Sequence, residues 1–123
     1  MLSGDFYYTK ALDQHDGKIN AILEINAKHT IFEGHFPGQP VVPGVCMMQM
    51  VKEILESVEG KRLLIDEAPN IKLLSVLNPN ENNVVDSSIS IDERVGDNQL
   101  KISATITNGS VVFFKMKATL RNL

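Results

Sequence analysis

The chain has 123 residues, 43% of them hydrophobic and 22% charged, which is enough for one buried core and too few for two domains of ordinary size. Twelve Lys and Arg against fifteen Asp and Glu give a formal net charge of -3, and no Lys/Arg run tracks a phosphate backbone, so no nucleic-acid partner is expected. The first residues, MLSGDFYYTK, lack the basic flank and apolar core of a secretory signal, and no stretch approaches a membrane span; the expectation is a single domain over residues 1–123, cytoplasmic and off the membrane.

Residues from Asp5 to Leu12 alternate loosely, His15-Asp16-Gly17-Lys18 reads as a turn, and Ile19 to Ile25 resumes a strand pattern, which together predict a hairpin. Gly34 to Gly44 holds three glycines and three prolines in eleven residues, a density that suits neither a helix nor a central strand. From Val45 to Glu59 apolar residues recur at 45, 48, 51, 55 and 58, with Met47, Met50 and Ile54 beside them, so the spacing predicts a buried helix that ends at Gly60. Three β-like runs follow, Leu63 to Leu77, Val84 to Arg94 and Leu100 to Leu120, the last divided by the hairpin signal Asn108-Gly109. Two strands, one helix and about four strands make an α+β layout with antiparallel pairing, and the apolar helix needs either a sheet that curls round it or a sheet on one side and a partner on the other.

The segment Gly34-His35-Phe36-Pro37-Gly38-Gln39-Pro40-Val41-Val42-Pro43-Gly44-Val45 carries the chemistry. Pro37, Pro40 and Pro43 each fix their own φ and restrict the residue before, so His35 is held in a stiffened loop. An imidazole takes up and returns a proton near neutral pH, which elimination across a Cα–Cβ bond requires. Gly44 opens the helix, and the first N–H groups of a helix have no partner within it, so they are available to a carbonyl oxygen that gains negative charge.

GHFPGQPVVPGV resembles the active-site signature of the β-hydroxyacyl-acyl-carrier-protein dehydratases, in which GHFPG, a short spacer, PV, one residue and PGV lead into the central helix. The resemblance implies a hot-dog fold, an antiparallel sheet wrapped round a central helix. It further implies His35 as the base, the N–H groups of Gly44 and Val45 as holders of the thioester carbonyl, and Phe36 as a substrate-binding residue. In that family the acid stands five residues after the glycine of PGV, on the helix of the neighbouring subunit; here that residue is Gln49, and Glu53 stands four further on, where the family commonly has Gln. A carboxamide orients a hydroxyl but supplies no proton at useful pH, so Gln49 is read as lining the site. Glu53 is read as an ordinary solvated helix carboxylate, with takeover of the acid role as the alternative. The turn Asn78-Pro79-Asn80-Glu81 also departs from the family's Pro-Gly-Asp.

Cys46, the one cysteine, is expected to pack as a small apolar side chain, and Met47, Met48 and Met50 to be core. His15 and His29 have no ligand-spaced partners and receive no role, and no metal or redox cofactor is expected. The reading is reversible dehydration of 3-hydroxyacyl thioesters to trans-2-enoyl thioesters, on acyl carrier protein or coenzyme A, in fatty-acid or related lipid or polyene synthesis. The alternatives are an acyl-thioester-binding subunit that pairs with a homologous dehydratase, and an acyl-thioesterase. A homodimer or higher oligomer, or a heterodimer with a homologue, is expected because the helix is too apolar to leave one side in water.

Overall fold

The first hairpin forms where the alternation and the turn chemistry agree. β1 (Tyr7–His15) and β2 (Lys18–Ile25) pair antiparallel across Asp16-Gly17, both at positive φ (49° and 76°), a turn whose twist matches that of the strands it joins. This computed structural model describes residues 1–34 and 40–123. β1 runs three residues past Leu12, so His15 closes the strand and does not belong to the turn. One helical turn, α1 (Ile31–Gly34), then leads to the His35 segment.

α2 (Gly44–Glu59) is the expected helix, and it ends where Gly60 takes the left-handed conformation (φ 69°) and gives its N–H to the carbonyl of Glu56. β3 (Leu63–Leu73), β4 (Val84–Val95), β5 (Gln99–Asn108) and β6 (Val111–Asn122) complete the chain, β5 and β6 meeting across Gly109-Ser110. The third apolar run is shorter than its pattern predicts. β3 stops at Leu73, Leu74 and Val76 are exposed, and only Leu77 returns to the core.

The six strands form one antiparallel sheet in the order β1-β2-β4-β5-β6-β3, so β1 and β3 are its edges. Every second residue of the inner strands points to one face: Ile19, Ala21, Leu23 and Ile25 on β2, Val85 and Ile89 on β4, Ile102 and Ile106 on β5, Phe114, Met116 and Leu120 on β6. α2 lays Met47, Met50, Val51, Ile54 and Leu55 into the same core. Each large apolar side chain removed from water contributes roughly 1.5–3 kcal/mol, which is what holds the helix on the sheet. Ser87 occupies an inward position of β4 between Val85 and Ile89, and its Oγ has no hydrogen-bond partner among the described residues.

The helix is not buried all round in the single chain. Val45 is 72% exposed, Ser57 is exposed, and Met48, Gln49, Lys52 and Glu56 are half-buried, which leaves one side of α2 open. No helix among the described residues is long and apolar enough to cross a membrane.

Candidate functional site

The start of α2 supplies the donors. Pro43 precedes it in an extended conformation without any side-chain cap, and its carbonyl accepts the N–H groups of Cys46 (3.0 Å) and Met47 (3.2 Å). The N–H groups of Gly44 and Val45 are bonded to no acceptor among the described residues. Among the described residues they are the donors of this helix end without an acceptor, and the positive end of the helix dipole lies with them. The approach to the helix is anchored through Val42, which is buried and donates its N–H to the Leu77 carbonyl at 2.9 Å. At Gly44 a Cβ would lie 3.2 Å from Cδ2 of Leu73, so the missing side chain lets the end of β3 pack across the helix start. Around this point Val45, Leu73 (61%), Leu74 (49%) and Val76 (67%) leave apolar surface uncovered.

His35 and Phe36, with Pro37, Gly38 and Gln39, lie outside the described residues. Gln49 stands one turn into α2 beyond Val45 and donates Nε2–H to Oε2 of Glu53 at 2.7 Å. It is the one side chain with a carboxamide, hydroxyl or charge in the stretch from Gly44 to Val51.

Glu53 is the residue the sequence placed wrongly. Far from being solvated, it is 3% exposed. Its carboxylate accepts four hydrogen bonds: Leu2 N–H to Oε2 at 2.8 Å, Ser3 N–H to Oε1 at 2.8 Å, Tyr7 O–H to Oε1 at 3.2 Å, and the Gln49 amide. Burial alone pushes the carboxyl up, but the bonds from Leu2, Gln49, Ser3 and Tyr7 together outweigh it and hold Glu53 below the usual carboxylate range. Tyr7 moves the other way, raised by its own burial and then by the Glu53 charge, so it remains a protonated donor. Sequence reasoning missed Tyr7 and the N-terminal residues as partners of Glu53, and the loose alternation of the first strand carried no signal for them.

The remaining candidates fall where packing puts them. Cys46 is buried, which raises its thiol and makes it an inert apolar packer. Met47 and Met50 are core and Met48 packs at its margin. His29 accepts the Ile31 N–H on Nδ1 (3.1 Å) and faces Asp5 Oδ2 with Nε2 (3.0 Å), which ties the start of α1 to the N-terminal segment. The Asn78-Pro79-Asn80-Glu81 turn is closed by Asn78, whose Oδ1 accepts the Asn80 N–H at 2.9 Å. A hollow of about 440 Å³ lined by Lys72, Lys115 and Lys117 lies over β3, β6 and β5, and none of its lining residues belongs to the helix start.

The family model of the ApeI-like proteins, described as ApeI dehydratase, matches residues 11–114, a span that contains the whole segment from Gly34 to Val45. Among curated proteins, the 3-hydroxyacyl-[acyl-carrier-protein] dehydratase FabZ of Wolbachia sp. subsp. Drosophila simulans is 23% identical over 111 residues, 85% of this chain and 77% of its own. The FabZ of Listeria monocytogenes serotype 4b (strain CLIP80459) is 30% identical over 105 residues, 84% of this chain and 66% of its own. Among solved structures, a chain of the dehydratase heterocomplex ApeI:P from Xenorhabdus doucetiae superposes with a TM-score of 0.72 at 20% identity, covering 93% of this chain and 96% of that one, a likeness of fold. The strand order, the one long helix among the described residues packed on the sheet and the match over residues 11–114 agree: this chain has the hot-dog fold and belongs to the ApeI-like family of dehydratases.

Proposed function

We propose that this chain acts on 3-hydroxyacyl thioesters of an acyl carrier protein and takes part in their reversible dehydration to trans-2-enoyl thioesters. The observation that carries the reading is the pair of N–H groups, Gly44 and Val45, that have no acceptor among the described residues, at an apolar helix start that follows His35 in the sequence. His35 removes the proton from C2, the C2–H electrons move onto the thioester oxygen held by the two N–H groups, and they return to form the C2–C3 double bond as the C3–O bond breaks. Phe36 supplies apolar surface for the acyl chain. The relatives' names support the carrier protein over free coenzyme A.

Glu53 favours a second statement about the same site. A carboxylate that is buried, ionised and engaged by four donors has no proton to give, and Gln49 has none either. The departing hydroxide then takes its proton from elsewhere, so this chain pairs with a homologue whose helix carries a carboxylic acid, and the exposed apolar surface at Val45, Leu73, Leu74 and Val76 is what such a partner covers. The heterocomplex to which the Xenorhabdus chain belongs supports such an assembly.

The test is incubation with 3-hydroxyacyl and trans-2-enoyl carrier thioesters, alone and mixed with an acid-bearing homologue, followed by mass spectrometry. Water lost or gained in the mixture, at a rate well above either chain alone, is the expected result. Release of free acid would instead assign a thioesterase.

A further inference from the structure

A helix of four residues makes a single turn and does not hold itself, because fixing its backbone costs more than its few hydrogen bonds return. The place of α1 therefore rests on what it is tied to, and His29 supplies the polar tie. Its carbonyl accepts the Phe32 N–H at 3.1 Å and its Nδ1 accepts the Ile31 N–H at 3.1 Å, so one residue takes the first two N–H groups of the turn. An N–H cannot face an N–H, so Nδ1 carries the lone pair, and Nε2 gives its hydrogen to Oδ2 of Asp5 at 3.0 Å. The ring stands edge-on to Phe6 at 5.4 Å, and Phe6 also packs against Phe32 of α1 at 5.5 Å. Asp5 and Phe6 are in turn fixed beyond the end of β2, where their carbonyls accept the Nδ2–H and the backbone N–H of Asn26 at 3.1 and 2.8 Å.

We infer that His29 is a positioning residue for the proposed base: it fixes the direction of α1, which ends at Gly34, and so the point from which His35 begins. This rests on the reading above that His35 removes the C2 proton. Both nitrogens of His29 are engaged within the fold, so it acts through α1 and not on the substrate. What it governs is the distance from the base to C2 of a thioester held on a different element, α2, and a displacement of about 1 Å there costs on the order of 100-fold in rate. Most of what holds the thioester belongs instead to the start of α2 and the end of β3, so the rate depends on His29 far more than binding does.

The measurement is kcat and KM for dehydration of a 3-hydroxyacyl carrier thioester by this chain mixed with the acid-bearing homologue, the rate of the homologue alone being subtracted. His29→Ala is expected to lower kcat about tenfold or more and to leave KM within about twofold. His29→Asn is expected to recover most of that loss, because a carboxamide oxygen at this position accepts the N–H two residues on, as in an Asx turn. Asp5→Ala removes only the partner of Nε2, at a side chain 75% exposed, so the fold is kept and kcat is expected to fall a few-fold with KM unchanged. A His29 that only stabilised the fold would leave kcat intact in His29→Ala wherever that protein is folded, which overturns the inference while the thioester reading stands. So does a loss of kcat that His29→Asn does not recover, or a loss that falls on KM. A parent chain that adds nothing to the rate of the homologue overturns the thioester reading and this inference with it.

Discussion

Gln49 and Glu53, one helical turn apart on α2, are joined by a 2.7 Å hydrogen bond in which the amide donates and the carboxylate accepts. The direction of that bond decides the chemistry of the helix, because it leaves the acidic side chain facing the N-terminal segment and the neutral one facing the open side.

The Glu53 anchor is expected to contribute heavily to stability. Glu53→Leu removes the acceptor and strands the Leu2, Ser3 and Tyr7 donors, and about 2–4 kcal/mol should be lost in chemical denaturation. Tyr7→Phe removes one bond of 3.2 Å and should cost about 1 kcal/mol.

The same carboxylate makes stability depend on pH. Its value is lowered on folding, so the unfolded chain binds the proton more readily, and the contribution is fully present above the ordinary Glu range. On acidification it declines as pH falls through that range and is gone below the lowered folded-state value. Thermal scans of the parent chain and Glu53→Gln should therefore differ most near neutrality and converge in acid. A constant difference down to the lowest pH at which both fold would contradict the assignment of an ionised Glu53.

Ser87→Ala should be neutral or stabilising by up to about 1 kcal/mol. The hydroxyl is 1% exposed and has no partner among the described residues, so its removal relieves a desolvation cost without orphaning another group. Equilibrium unfolding of the two proteins measures it.

The apolar surface beside the helix start should be covered in solution. Val45, Leu73, Leu74 and Val76 are 72, 61, 49 and 67% exposed in the single chain, and Leu73 lies at the end of the open edge strand β3. Light scattering at micromolar concentration is expected to give a dimer or larger species, and Val45→Asp with Leu73→Asp to shift it toward the monomer. A parent chain that is monomeric both alone and when mixed with an acid-bearing homologue contradicts the pairing.

Much of the fold was legible because period-two alternation is a local signal. Ile19, Ala21, Leu23 and Ile25 announce an inward face by themselves, and Asp16-Gly17 announces the turn that sets their register. The end of β3 was not legible, since Leu74 and Val76 continue the apolar pattern although both are exposed. α1 was hidden for a different reason, as a helix of four residues has no period. At the candidate site, the shared helix face of residues 49 and 53 follows from their spacing. The burial of Glu53 does not, because its other partners lie 46 to 51 residues away in sequence and two of them are backbone groups, which leave no mark in composition.

The most direct test of the central proposal, a dehydratase-type site with His35 as its base and its acid missing, is the dehydration rate of a 3-hydroxyacyl carrier thioester by Gln49→Glu. The introduced carboxyl lies one turn from an ionised Glu53, which raises its pKa and keeps it protonated enough to act as the acid. The account predicts trans-2-enoyl thioester formed at least about 100-fold faster than by the parent chain alone, and loss of that gain when His35→Ala is added. A folded Gln49→Glu protein no faster than the parent, or one whose rate survives His35→Ala, would contradict it.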